Sequence, residues 1–170
     1  FGAAVASGDL NADGYDDVVI GVPGEFRCWN AIGVCGDVGG INILYGSANG
    51  ITAAGNEYIT QRTNGISGIP NVGEEFGSSV ATGDLDGDGY DDIVVGVPGE
   101  YRCWAHVGIC GDDIGAIQLL YGSENGIRID NDQYFGQRSN GITAHPYVGD
   151  RFGASVSTGD IDGDGYDDVV

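Results

Sequence analysis

The sequence contains no lysine and no methionine, and its six basic residues are all arginine. Against 26 acidic residues this leaves a net charge of −20, so the chain lacks the basic surface that neutralises nucleic acid phosphates. No apolar run approaches the roughly 18–20 residues that span a bilayer, and no Asn-x-Ser/Thr glycosylation sequence is present. We therefore expect no nucleic acid partner and no membrane span, and the acidity favours bound cations.

The chain repeats itself with a period of about 75 residues. Phe76 repeats Phe1, Phe152 repeats Phe76, and segment 76–94 matches segment 152–170 at 15 of 19 positions. The sequence therefore predicts two full repeats, 1–75 and 76–151, and the start of a third, 152–170. An extra residue in the second copy falls at Asp112–Asp113, just after a pair of cysteines, where it indicates a loop.

Each repeat has the pattern of four β-strands separated by glycine-containing turns, and no window has a sustained helical period. The predicted strands cover residues 1–7, 17–22, 40–45 and 57–62 in the first repeat, and 93–97, 116–121 and 133–138 among those of the second. With 33 glycines and four strands per repeat, we predict an all-β fold of tandem four-stranded antiparallel blades, as in a β-propeller. The third repeat would supply the first two strands of its blade.

An acidic nine-residue loop separates the first two strands of every repeat. Oxygen groups at its positions 1, 3, 5 and 9, with the carbonyl at position 7, can converge on one point if the backbone coils tightly, and the glycine at position 6 permits that turn. Such a flexible oxygen cage suits calcium. The sequence thus predicts three calcium sites. Their ligands are Asp9, Asn11, Asp13, Tyr15 and Asp17; Asp84, Asp86, Asp88, Tyr90 and Asp92; Asp160, Asp162, Asp164, Tyr166 and Asp168.

Two other kinds of loop share part of this pattern. The helical EF-hand needs a glutamate at position 12, where this chain has Ile20 and Val95, and it needs flanking helices rather than strands. An ordinary acidic turn would also use aspartate and glycine. Three copies with identical spacing favour calcium over a simple turn.

The four cysteines form two pairs with the same spacing, Cys28 with Cys35 and Cys103 with Cys110. An even count in an acidic chain favours disulfides and an oxidising compartment. Four cysteines allow three connectivities, of which the duplication favours one local bridge per repeat. Zinc is a poorer alternative, because its ligand pairs are usually separated by about 2–4 residues. Trp29 and Trp104 follow the first cysteine of each pair, either as an aromatic platform for a ligand or as packing for the disulfide.

The Phe-Gly that opens each repeat, the acidic loop and the Gly-Val-Pro at 21–23 and 96–98 together resemble the FG-GAP repeats of integrin α-subunit β-propellers. The resemblance implies four-stranded blades with calcium between the first two strands, in extracellular adhesion or carbohydrate-related proteins. Valine replaces the usual alanine of the Gly-Ala-Pro element, and the repeat is longer than the family norm. A family propeller has seven blades, whereas this chain supplies two and part of a third.

The functional expectation is a calcium-stabilised extracellular structural or adhesive module, located at the cell surface or secreted. No nucleophile elbow or phosphate-binding loop is present, so we do not expect an enzyme. The alternatives are a carbohydrate- or protein-binding domain that uses the cysteine loops, and a non-catalytic part of a secreted enzyme. Expected partners are further repeats in the same chain, or identical chains in a ring or filament, together with an extracellular protein or glycan ligand.

Overall fold

A computed structural model describes residues 1–29, 34–104, 109–139 and 141–170 of the chain. All regular secondary structure in these ranges is β-strand, and none of it is a helix with the length and apolar character of a membrane span. The strands of the first repeat are β1 (Ala4–Gly8), β2 (Asp17–Gly21), β3 (Phe26–Trp29), β4 (Val34–Asp37), β5 (Ile41–Leu44) and β6 (Glu57–Ile59).

The first blade is a four-stranded antiparallel sheet with the order β1-β2-β5-β6. Its second strand is the apolar run Asp-Val-Val-Ile-Gly, which is buried at most positions because neighbours pair with both of its edges. Strands β3 and β4 form a separate hairpin between the second and third blade strands.

The second repeat builds the same sheet with the order β7-β8-β11-β12, and the third begins another. Their strands are β7 (Ser79–Gly83), β8 (Asp92–Val97), β9 (Arg102–Trp104), β10 (Ile109–Gly111), β11 (Ala116–Tyr121), β12 (Arg128–Phe135), β13 (Thr158–Gly159) and β14 (Asp168–Val169). The predicted all-β fold of two full blades and the first two strands of a third is confirmed. The residue boundaries of the repeats stay a prediction.

Two features of the sheets differ from the sequence prediction. The cysteine segments are hairpins rather than loops, because Cys28 lies directly opposite Cys35 and Cys103 opposite Cys110 in antiparallel pairs. The fourth strand of the second blade is Arg128–Phe135, which begins before the predicted segment 133–138 and ends within it. Its Asp and Asn residues, at positions 130–132, are poor strand formers, and they lie at the register irregularity between the residues that pair with β11, Arg128 and 133–135.

The main hydrophobic core lies between the first two blades. Ile41 and Ile43 of the first blade belong to the same buried cluster as Ile93 and Val95 of the second. Phe76, which opens the second repeat, is completely buried in this cluster. Burial of apolar surface is the main favourable contribution to folding, so each blade depends on its neighbour for stability.

A short parallel bridge joins each blade to the start of the next. Gly39 pairs with Phe76, and Gly115 pairs with Phe152. Both glycines have positive φ, 82° and 89°, and a Cβ on either would overlap the backbone of the paired phenylalanine. The Phe-Gly of one repeat is thus anchored on a glycine of the repeat before it.

Candidate metal centres

The three acidic loops occupy equivalent places, between β1 and β2, β7 and β8, and β13 and β14. We call residues 9–17, 84–92 and 160–168 the first, second and third loops. Each loop therefore closes an antiparallel pair of strands at the same end of its blade, as the sequence predicted.

The aspartate at position 1 organises each loop from inside. In the second loop, Asp84 Oδ1 accepts hydrogen bonds from the amides of Gly87 at 2.7 Å and Asp88 at 3.1 Å. Its Oδ2 accepts from the amide of Gly89 at 3.0 Å. The backbone is thereby wrapped around one carboxylate, which is the tight coil that the ligand spacing requires.

The same arrangement recurs in the other two loops. Gly165 donates to Asp160 at 3.1 Å in the third loop, and Gly14 donates to Asp9 at 2.9 Å in the first. The position-6 glycines of the three loops have φ of 88° to 94°, which favours glycine as predicted. Position 4 also has positive φ, and in the first loop Ala12 adopts 53° there, which the sequence prediction missed.

Carboxylate oxygens converge in two of the loops. One oxygen from each of Asp84, Asp86 and Asp88 lies within 4.8 Å of the others. Asp160, Asp162 and Asp168 converge equally in the third loop. Asp92 and Asp164 lie outside these clusters in the described residues. In the first loop Asn11 has a side-chain amide oxygen where the other loops have a carboxylate at position 3. The backbone amide of Asp13 donates a hydrogen bond to this oxygen at 3.0 Å.

Position 9 has a structural role that the sequence did not reveal. The buried Asp92 carboxylate accepts hydrogen bonds from Leu85 and Gly122, each at 2.9 Å, and so joins the loop to the end of β11. Asp17 does the same in the first blade with Leu10 and Gly46. Burial raises the pKa of Asp92 to about 7, although the two backbone donors oppose the shift.

The chemistry of the clusters fits a hard divalent cation. Burial, and then the neighbouring carboxylates of Asp88 and Asp84, raise the pKa of Asp86. Gathering like charges in this way is unfavourable unless a cation compensates for them. The side-chain donors are all oxygen, as calcium and magnesium prefer. The carboxylate and amide oxygens at loop positions 1, 3, 5 and 9 could hold the ion. The backbone carbonyls of Tyr15, Tyr90 and Tyr166 could add a ligand at position 7.

The hairpins carry the two predicted disulfides, Cys28–Cys35 and Cys103–Cys110. Next to them, Arg102 stacks on the Tyr134 ring at 4.5 Å, as Arg27 does on Tyr58 in the first blade. A cavity of about 600 Å³ lies beside the second hairpin, lined in part by Tyr101, Arg102 and Ile69. The side chains of Trp29 and Trp104 lie outside the described part of the structure.

Two buried glutamates that sequence reasoning missed, Glu74 and Glu100, lie near the boundary between the first two blades, and Glu100 makes a hydrogen bond across it. Glu74 is 1% exposed and accepts hydrogen bonds from the Asn71 amide and side chain at 2.6 and 2.9 Å. Glu100 is 4% exposed and accepts from Gln61 at 2.8 Å. Burial and the charge of Glu100 raise the pKa of Glu74 to about 7. Nothing in the local pattern separates these residues from the exposed glutamates of the chain.

The model of the FG-GAP repeat matches residues 1–40, 76–120 and 152–170, more than half of the sequence. The chain belongs to the FG-GAP repeat family. Integrin alpha-PS5 of Drosophila melanogaster is 34% identical over 173 residues, which cover 100% of this chain and 14% of that protein. Integrin alpha-6 of Homo sapiens is 34% identical over 174 residues, again 100% of this chain and 12% of the relative.

One of the similar proteins is named as an enzyme. Phosphatidylinositol-glycan-specific phospholipase D of Homo sapiens is 26% identical over 176 residues, 99% of this chain and 18% of that protein. The chain therefore spans less than a fifth of each of these relatives.

Proposed function

We propose that this chain is a calcium-stabilised propeller module of an extracellular adhesive or structural protein. The observation that carries the proposal is the coil of each acidic loop around its first aspartate, repeated three times. Convergent carboxylates in two of the loops support it further. The similarity to integrin alpha chains supports the adhesive part of the proposal.

Calcium would act as part of the fold. The ion would compensate the gathered carboxylates and hold the first two strands of each blade together at the loop. The proposed ligands are the five residues predicted for each loop. Asp17 and Asp92 would combine ligation with their hydrogen bonds to the third strand, since a carboxylate has about four acceptor sites.

Calorimetry and thermal unfolding test this proposal directly. Chelator-treated protein should take up three calcium ions, and its melting temperature should rise with calcium concentration. Asp86→Ala should remove one ion from the stoichiometry. Asp130→Ala, an exposed aspartate outside the loops, is the control and should retain all three. The absence of heat and of any change in melting temperature would refute the calcium function.

The proposal includes an extracellular location, which the disulfides support. Disulfides persist in oxidising compartments, and both cysteine pairs are bridged. Since the chain spans only a small part of its integrin relatives, the location, ligands and subunit partners of the whole protein are proposals. Detection of the intact protein on unpermeabilised cells, by an antibody against this chain, would test the location.

A second candidate is ligand binding by the hairpin side of the blades, for a protein or a glycan. The cavity beside β9 favours it, because an exposed aromatic and an arginine line an opening large enough for a sugar or a side chain. Glycan-array binding that is lost in Tyr101→Ala would support this function. A role as the non-catalytic part of a secreted enzyme has only the phospholipase relative in its favour.

The partners would include further FG-GAP repeats. These would belong to the same polypeptide or to identical chains joined end to end in a ring or filament. The exposed apolar residues on the outer face of the first blade, Phe1 and Val5, favour a covering partner of this kind.

A further inference from the structure

The acidic loops of neighbouring repeats are hydrogen-bonded to each other through the aspartate at position 8. The Asp9 amide donates to the Asp91 carboxylate at 2.9 Å, and the Asp91 amide donates to the Asp9 carbonyl at 3.0 Å. Asp9 is the first proposed ligand of the first loop, whereas Asp91 lies between Tyr90 and Asp92, two proposed ligands of the second. A pair of hydrogen bonds therefore crosses the boundary between the two blades and links the two sites.

A glycine immediately before the first and the second loop makes room for this contact. A Cβ at Gly8 would overlap the Asp91 carboxylate, and a Cβ at Gly83 would overlap the Asp167 carboxylate of the third repeat. The Asp167 amide also donates to the Asp84 carbonyl at 2.9 Å. The same close approach thus occurs at both boundaries between repeats.

We propose that Asp91 is a positioning residue for the cation site of the preceding repeat. Its carboxylate holds the Asp9 backbone, so that calcium binding in the first loop depends on a residue of the second repeat. This inference rests on the proposed calcium function. It makes the sites a connected series in which each repeat completes the site before it.

The physical reason is the central place of Asp9 in its loop. The Asp9 carboxylate accepts the amides of Asp13 and Gly14, so the position of its backbone sets the coil of the whole loop. A hydrogen bond from an amide to a carboxylate is charge-assisted and about twice as strong as a neutral one. Fixing a ligand before the ion binds lowers the ordering cost of binding.

The loops contain three equivalent reporters for an NMR titration with calcium. The amides of Gly14, Gly89 and Gly165 each donate to the first aspartate of their own loop. Their chemical shifts therefore report calcium binding site by site. In wild-type protein all three should shift on titration. If none shifts, the calcium function itself is refuted before any variant is compared.

Asp91→Ala should weaken calcium binding at the first site, as reported by the Gly14 amide, about ten-fold. Loss of a partner that orients a metal ligand typically has an effect of this size. The loss of calcium affinity should be larger at the first site (Gly14) than at the second (Gly89), although Asp91 belongs to the second loop. The affinity of the third site (Gly165) should be unchanged. Asp91→Asn keeps an acceptor oxygen and should retain most of the affinity. Gly8→Ala keeps every charge but displaces the Asp91 carboxylate, so it should weaken the first site as well.

Two matched controls separate positioning from simple loss of charge or of glycine. Asp16 occupies position 8 of the first loop, is exposed, and makes no side-chain hydrogen bond within the described ranges. Asp16→Ala therefore removes one charge from the first loop itself and should change its affinity less than about two-fold. Gly159 precedes the third loop with no atom near a Cβ, so Gly159→Ala should also be neutral.

The proposal is overturned if Asp16→Ala weakens the first site as much as Asp91→Ala does. It is equally overturned if Asp91→Asn loses as much affinity as Asp91→Ala, or if the loss occurs only at Gly89. The proposal is supported if Asp91→Ala lowers the calcium affinity mainly at the first site, Asp91→Asn restores most of it, and Gly8→Ala lowers it again.

Discussion

Asn11 differs from the carboxylates at position 3 of the other two loops, Asp86 and Asp162, and this single residue should make the first site the weakest. We expect Asn11→Asp to raise its calcium affinity about ten-fold, since a further unit charge some 4 Å from the ion contributes about 1–4 kcal/mol. Calorimetric titration would measure the change. The reverse substitution, Asp86→Asn, should weaken the second site by a similar factor. Equal affinities at all sites before and after substitution would contradict this ranking.

Buried Glu74 should make stability depend on pH in the opposite sense to a salt-bridged carboxylate. Its pKa rises from 4.5 to about 7 on folding, so the folded state holds a proton that unfolding releases. The free energy of unfolding should therefore fall by up to about 3 kcal/mol as pH rises from about 4.5 to about 7. Denaturant unfolding across this range, with saturating calcium, would measure the slope.

Glu74→Gln should reduce that slope by the Glu74 contribution, because glutamine does not titrate, whereas Glu100, whose pKa burial also raises, keeps its own contribution. Glu124→Gln, at an exposed position, is the control and should keep the wild-type slope. A Glu74→Gln protein with an unchanged dependence of stability on pH would show that Glu74 is ionised in the folded state at neutral pH.

At the scale of the element, the joint between blades depends on Gly39. Alanine there would need a φ of 82° and would also place a Cβ against the Phe76 backbone. Gly50 is a matched control, since its φ is 92° and no atom lies near its Cβ position. Gly50→Ala should cost about 1–2 kcal/mol from backbone strain alone, and Gly39→Ala about 1–3 kcal/mol more from the overlap. Equal losses in denaturant unfolding would exclude a role for the overlap.

Elements defined by local periodicity could be predicted from the sequence, whereas contacts between repeats could not. The strand Asp17–Gly21 and the turn at Gly14 follow from hydrophobic pattern and glycine spacing. The hairpin around Cys28 was missed because its pairing depends on the opposite strand rather than on its own pattern. Asp9, the partner of Asp91, and Gln61, the partner of Glu100, each lie in a different repeat from the residue that they contact. Spacing within one loop gives no information about such partners.

At the scale of the whole molecule, the position of a repeat decides whether its apolar residues are covered. Phe76 is completely buried and Val80 is 9% exposed, because the first blade packs on them. Their equivalents in the first repeat, Phe1 and Val5, are 84% and 61% exposed. Equivalent residues therefore form a second surface on which another repeat could pack in the same way.

The other end of the array also has an open apolar surface. An apolar cavity of about 430 Å³ lies between the second blade and the third repeat, lined in part by Leu119, Phe152 and Val170. The third repeat covers this face of the second blade with only two strands, β13 and β14, so apolar residues of an identical chain could cover the part that stays open. Head-to-tail contacts of this type close into rings or extend as fibres.

We expect the 170-residue chain with calcium to self-associate, with a mass that rises with concentration in light scattering. Val5→Asp should abolish the association without unfolding the blade, because this side chain is 61% exposed in the single chain and a charge is costly to bury in an apolar interface. Ile69→Asp, at a position 78% exposed and away from this face, should associate as the wild type does. A monomer that unfolds cooperatively at every concentration would contradict self-association and leave the surface to further repeats of the same polypeptide.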